Sequence, residues 1–276
     1  MKIIYEPKGK AREYAPLAFN PWWGCPHNCR YCYGPKMSNP AKKGLTAEQW
    51  KAEWHRCSHV KADALDRLAY DCAFMWKRCD TRPVLMMFSG DPYPPDDPVP
   101  ERGLVADPIT RTALKIMQEN GVTPIILTKG GMRACRDFDI LKATMGWFGQ
   151  TISFYNSLLC SEWEPHAAKI SDRREALMLA TDAGLKTWIS VEPVIDFSQA
   201  IVEIRELTYE PRPDHFKLGK LSGNDKETRA IEKSIDWPEY REAARCILNG
   251  AGYREIFEPG VFKVGTYYVK AELRGL

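Results

Sequence analysis

Cys25, Cys29 and Cys32 share one short segment, Asn20-Pro21-Trp22-Trp23-Gly24-Cys25-Pro26-His27-Asn28-Cys29-Arg30-Tyr31-Cys32-Tyr33. The spacing Cys-x3-Cys-x2-Cys puts three soft thiolate ligands on a single loop, and such ligands suit iron–sulfur clusters or zinc. A structural zinc site closes with four ligands. No second Cys-x2-Cys pair occurs elsewhere in the chain. Three thiolates on a four-iron cube leave one iron open for a substrate or cofactor. Zinc with His27 as fourth ligand is the alternative.

A loop of this kind needs elements to hold it. Short apolar runs alternate with longer helical patterns, which signals parallel βα units. Strands are expected at 17–22, directly before the cysteines, and then at 84–89, Pro124–Thr128, 150–154, Lys186–Val191 and His215–Leu218. A late strand is expected within 261–269. Leu65, Leu68, Ala69, Cys72, Met75, Trp76 and Cys79 recur at helical spacing. Asp107 followed by Pro108 reads as an N-cap and an N1 proline, with Asn120-Gly121 as the stop. Further helices are expected at 133–144, from a Ser171 cap to Gly184, at 198–207, and from Asp236-Trp237-Pro238 to Asn249-Gly250. Six such units predict an α/β fold, a partial (β/α)6 barrel over 1–222, with 223–276 as a C-terminal extension packed on it.

The 276 residues are 44% hydrophobic and 27% charged, the composition of a folded chain. A net charge of +3 neither requires nor excludes a nucleic-acid partner. No apolar run reaches membrane-spanning length and the N-terminus lacks a signal-peptide stretch, so the expectation is a cytoplasmic protein without a membrane partner. Nine cysteines without regular pairing read as thiols or metal ligands in a reducing compartment.

The cysteine spacing, with aromatic Tyr31 before the third cysteine, resembles the signature of the radical S-adenosylmethionine (SAM) superfamily. The run Lys8-Gly9-Lys10-Ala11-Arg12-Glu13-Tyr14-Ala15-Pro16-Leu17, then Asn20-Pro21 and Gly24-Cys25, is similar to the start of spore photoproduct lyase-like members. So are Glu164-Pro165 and, further on, Arg173, Ala176 and Leu177 ahead of Gly184. The resemblance implies a [4Fe-4S] cluster on Cys25, Cys29 and Cys32, with S-adenosyl-L-methionine chelated at the open iron. Reductive cleavage of that cofactor would give methionine and a 5′-deoxyadenosyl radical, with electrons from an external donor such as flavodoxin or ferredoxin. The resemblance also implies a nucleic acid or nucleotide substrate, for repair or modification by a lyase-type enzyme. A peptide or small metabolite is the second expectation, and a zinc- or cluster-bearing nucleic-acid-binding module without catalysis the third.

The same resemblance suggests the cofactor's contacts. Ser89, Gly90 and Asp91 would hold its amino group, with Asp91 in the place usually taken by glutamate. Lys129 and Arg173 would meet its carboxylate. Ser153, Asn156, Ser190 and Glu192 would bind the ribose hydroxyls, since polar groups at the C-terminal ends of barrel strands face the active site. Cys135 is a candidate hydrogen-atom donor to a substrate radical. Trp22 and Trp23 are candidates to shield the cluster, although packing is their default role. Lys8, Lys10, Arg12, Lys36, Lys42 and Lys43 are candidate phosphate contacts, with solvation as theirs. Cys57, Cys72 and Cys79 raise a second cluster as a possibility, against the plainer reading of Cys72 and Cys79 as small core residues.

Overall fold

The computed structural model describes residues 2–37, 44–98, 107–223 and 225–275. Lys42 and Lys43 lie outside the described residues. Among the described residues eleven strands are present: β1 (Ile4–Tyr5), β2 (Leu17–Phe19), β3 (Trp22–Trp23), β4 (His59–Val60), β5 (Val84–Met86), β6 (Pro124–Thr128), β7 (Trp147–Thr151), β8 (Lys186–Val191), β9 (His215–Leu218), β10 (Arg254–Ile256) and β11 (Thr266–Val269). Nine of them form one sheet in the order β1-β2-β5-β6-β7-β8-β9-β11-β10. All neighbours in it are parallel except β1, which pairs antiparallel with β2. The six strands from β2 to β9 are the expected barrel strands. Among the described residues the sheet runs open from β1 to β10. The 223–276 segment contributes β10 and β11 to this same sheet.

Among the described residues ten α-helices accompany the strands: α1 (Ala47–Arg56), α2 (Ala64–Lys77), α3 (Ile109–Glu119), α4 (Phe138–Ala143), α5 (Ser157–Trp163), α6 (Ile170–Asp182), α7 (Phe197–Tyr209), α8 (Lys226–Ser234), α9 (Trp237–Gly250) and α10 (Ala271–Arg274). Strand periodicity sorts the side chains into two cores. Val84, Met86, Ile126, Phe148, Ile189 and Phe216 pack with Leu68, Cys72, Ala113 and Leu177 of the helices. Leu85, Ile125, Trp147 and Trp188 face the other way and form an inner cluster with Ala15, Tyr14 and Phe262. Gly149 makes room for the largest of these, because a Cβ there would stand 2.3 Å from the Trp188 indole nitrogen. That nitrogen donates to the Ile126 carbonyl at 2.9 Å.

Several boundaries differ from the sequence expectations. The first strand ends at Phe19, because Pro21 has no N–H to extend a ladder. Trp22 and Trp23 pair instead with Val60 and His59 in a separate two-stranded ribbon. Pro108 is itself the N-cap of α3 in an extended conformation, and Asp107 pairs with Lys115. The helix expected at 133–144 is a 3-10 turn over Gly131–Asp137 followed by the short α4. β7 starts three residues before the expected 150, at Trp147. Ser171 lies inside α6, whose N-cap is Lys169. The late strand is confined to Thr266–Val269. No described helix is long and apolar enough to cross a membrane.

Candidate functional site

The cysteine loop leaves the β3–β4 ribbon and is tied down by main-chain hydrogen bonds on two sides. Cys25 N donates to Trp54 O of α1 at 2.9 Å, and Arg30 N donates to Trp163 O of α5 at 2.9 Å. His166 N donates to His27 O, and Cys32 N to Cys29 O. Behind the loop, Trp23 stacks on His59 at 3.7 Å and packs against Trp50 and Trp54. Trp22 is fully buried, so both tryptophans serve as the loop's foundation.

Asn20 joins this loop to the segment after β5. Its Oδ1 accepts from Phe88 N at 2.7 Å and Ser89 N at 3.1 Å, while its Nδ2 donates to the Tyr5 hydroxyl. The Ser89 hydroxyl donates to Trp22 O. Gly90 meets the cysteine loop directly, since a Cβ there would lie 2.6 Å from Gly24 O. Gly24 takes φ +90° against Cys57 O and Trp54 O, where any side chain would collide.

Cys29 is buried and Cys25 and Cys32 are partly buried. Burial pushes all three thiols above the ordinary thiol range. Cys25 also feels Asp91 and both other thiols, and Cys29 feels Glu164 and Cys32, so the three thiols lie within electrostatic reach of one another. Two of the sulfurs accept main-chain N–H groups, Cys25 from His27 and Cys32 from Gly34 at 3.4 Å. Buried soft donors with N–H···S support suit a cationic iron–sulfur centre, which would hold them as thiolates. Among the described residues, no three His, Cys, Asp or Glu side chains form a cage for one metal ion.

His27, the candidate fourth zinc ligand, turns elsewhere. It is buried, which lowers its pKa to about 4, with Nδ1 facing Asp91 at 3.6 Å and Nε2 facing Arg133 at 3.3 Å. The sequence holds another pair at zinc-ligand spacing, His55 and His59. The structure gives them separate work. His55 Nδ1 bonds Cys25 O at 2.9 Å, whereas His59 stacks on Trp23 beside Glu53.

Beside Cys29 lies a buried charged group that spacing alone did not reveal. Glu164 ends α5 and pairs with Arg173 of α6, and both side chains are fully buried. The Tyr31 hydroxyl donates to the other carboxylate oxygen. Lys129, after β6, stands 4.0 Å from Glu164 and 5.6 Å from the Tyr31 ring centre. Burial pulls the Lys129 pKa down, but Glu164 and Cys29 outweigh it and hold it above the ordinary value. Arg173 corrects the expectation of a carboxylate contact. Its nitrogens also donate to Ala168 O and Thr151 O at 2.9 Å each, so the guanidinium is committed within the fold.

Asp91 is likewise committed. Its oxygens accept from Tyr93 N at 2.8 Å, Thr128 Oγ1 at 2.5 Å and Lys129 N at 2.7 Å. It ties the loops after β5 and β6 together. Asn156 is the N-cap of α5, accepting from Leu158 N and Leu159 N, and is exposed. Ser153 is buried with no partner for its hydroxyl among the described residues.

Ser190 and Glu192 belong to a separate polar group at the end of β8. The Tyr14 hydroxyl donates to Glu192 at 2.6 Å and lies 3.3 Å from Ser190 Oγ. Lys270, two per cent exposed, donates to both Glu192 oxygens at 2.9 and 3.0 Å. Tyr33, the residue after Cys32, feels both Cys32 and Glu192.

Cys135 is set against α6. Its sulfur donates to Met132 Sδ at 3.7 Å, and burial pushes its thiol up to about 11, helped by Asp172 and Glu175. The structure does not bring it to the three thiols. Cys72 is buried in α2, whereas Cys79 lies beyond the helix, exposed at φ +52° rather than on its apolar face. Lys8, Arg12 and Lys36 are exposed, and Lys10 pairs with Glu272.

Neither a family model nor a curated protein matches the chain. Solved structures do. Spore photoproduct lyase complexed with dinucleoside spore photoproduct aligns with TM-score 0.62 and 16% identity, over 96% of this chain and 78% of that one. SuiB of Streptococcus suis bound to its precursor peptide SuiA gives 0.60 and 14%, over 93% of this chain. SuiB bound to S-adenosylmethionine gives 0.58 and 12%, over 91%. This chain spans about half of SuiB, 49% and 46% of the two chains. The chain therefore shares the mostly parallel α/β fold of spore photoproduct lyase and SuiB.

Proposed function

We propose that this chain is a radical SAM enzyme whose [4Fe-4S] cluster is held by Cys25, Cys29 and Cys32. The carrying observation is that one loop, pinned by main-chain hydrogen bonds, holds these three buried or partly buried thiols beside Lys129 and the Glu164–Arg173 pair. When bound, the cluster and S-adenosyl-L-methionine supply one-electron cleavage of a carbon–sulfur bond and hence a 5′-deoxyadenosyl radical.

The protein's own part is binding, orientation and exclusion of water. Lys129 supplies a fixed positive charge for the cofactor carboxylate, and Glu164 aims it. Tyr31 packs beside it with its hydroxyl fixed by Glu164. The main-chain carbonyls of the 89–91 segment, brought close by Gly90, complement the amino group, while Asp91 sets their position. Ser153 offers its open hydroxyl to the ribose. Ser190 and Glu192, engaged by Tyr14 and Lys270, form the polar wall further from the thiols.

For the substrate, the reading is a nucleic acid or nucleotide, repaired or modified by lyase-type chemistry. Its support is the spore photoproduct lyase likeness, which extends over more of that protein than of SuiB. A small iron–sulfur protein such as flavodoxin's counterpart ferredoxin, or flavodoxin itself, would deliver the electron in the cytoplasm. The test is 5′-deoxyadenosine formation by reduced protein with DNA, RNA, nucleotides or peptides added. Stimulation by a nucleic acid, with hydrogen transfer into it, is the expected result. Stimulation by peptides alone overturns the substrate reading.

A further inference from the structure

On the barrel face opposite the thiols, at the N-terminal ends of β2, β5 and β7, lies a basin of about 610 Å³. Its size is that of a small-molecule site. The floor is aromatic. Trp147 and Phe262 lie with ring centres 5.2 Å apart, inclined by 38°. The walls are stiff. Four of the lining residues are prolines, among them Pro16 before β2 and Pro83 before β5, and each proline ring fixes its own φ. Gly260 seats the loop that carries Phe262, at φ +72° with its N–H on Glu13 O at 3.2 Å.

Charged side chains border this floor. Arg82 is held by Glu6 at 2.6 Å and by Asp80 at 2.7 Å, so its guanidinium is committed. Arg12 and Glu258 are exposed and make no hydrogen bond or ion pair among the described residues. The basin thus offers an aromatic floor bordered by Arg12, whose charge reaches Glu6 but whose guanidinium has no hydrogen-bond partner among the described residues, and by Glu258.

We propose that this basin is a second ligand site, for an aromatic α-amino acid. The ring rests on Trp147 and Phe262, where an offset or tilted arrangement is favourable. The carboxylate meets Arg12, whose planar fork matches it. The ammonium group meets Glu258. The rigid walls reduce the ordering cost of binding. Phe262 lies 4.1 Å from the Lys217 amine, which holds the carbonyls of Glu13 and Tyr14 at 2.6 and 3.0 Å. Tyr14 in turn reaches Glu192.

The test uses the full chain without added iron or cofactor, so it is independent of the proposed chemistry. Calorimetric titration with L-tryptophan should show saturable binding, stronger than roughly 1 mM. Tryptamine, which lacks the carboxylate, and indole-3-propionate, which lacks the amine, should each bind about tenfold more weakly or worse. Arg12→Gln and Glu258→Gln change exposed side chains and should weaken L-tryptophan by about the same factor with unchanged melting temperature. Absence of saturable binding overturns the proposal. So does affinity unaltered in either variant, equal binding of the two analogues, or loss of binding in Glu192→Gln at the opposite mouth.

Discussion

Arg173 and Glu164 show what a single buried pair does here. Both are fully enclosed, and Arg173 also carries two main-chain carbonyls. Removing one partner strands the other charge in a low-dielectric interior. Arg173→Met should therefore destabilise the fold by about 3–5 kcal/mol in urea unfolding. A loss below about 1 kcal/mol would mean that Arg173 behaves as a surface residue. Asn156 gives the opposite case. Its side chain caps α5, so Asn156→Ala should lower stability by about 1 kcal/mol while leaving cofactor affinity unchanged. A large fall in affinity at unaltered stability would return it to the ribose. The cysteine trio stands out in the sequence because its three thiols lie in one local segment. Arg173, Asp91 and Asn156 were misread because their types fit a cofactor equally well, and their partners depend on which chain segments the fold brings alongside. Lys270 gave no signal at all, since its partner Glu192 is 78 residues away.

At the scale of elements, strands with strong apolar runs were legible, and Pro124–Thr128, Lys186–Val191 and His215–Leu218 lie where expected to the residue, whereas the ends of the first strand, β5 and β7 do not. Pro21 broke the first strand, and the proline at 108 took the cap position itself rather than the first helical one. α5 was missed altogether because Asn156 was read as a ligand. β9 carries an element-scale prediction. His215 is enclosed between this strand and Phe262, with Nδ1 on Thr266 and Nε2 without a partner among the described residues. Burial, and then Lys217, hold its pKa well below the ordinary 6.5. The folded ring therefore stays neutral while the unfolded chain takes up a proton below pH 6.5. The unfolded state binds more protons there, so stability falls as pH drops, by at most about 1.4 kcal/mol per pH unit from this group. Urea midpoints at pH 7, 6 and 5 should fall more steeply for the native chain than for His215→Gln. Parallel slopes would remove His215 as the cause.

At the scale of the whole molecule, the sheet places two polar assemblies at the strands' C-terminal ends. One surrounds the thiols with Lys129, Glu164 and Arg173, and the other joins Tyr14, Glu192 and Lys270. Tyr33 lies under the influence of both. The architecture was legible from the alternation of strands and helices, because each parallel strand needs a crossover. The place of the last strands was not, since β11 pairs with β9 after two intervening helices. The central claim is that the thiols of Cys25, Cys29 and Cys32 hold an iron cube with one open corner. Iron and sulfide analysis of anaerobically reconstituted protein, followed by reduction with S-adenosyl-L-methionine, tests it most directly. The account predicts about four irons per chain and release of 5′-deoxyadenosine, both lost in Cys29→Ala. A single zinc per chain with the cofactor left intact would contradict it.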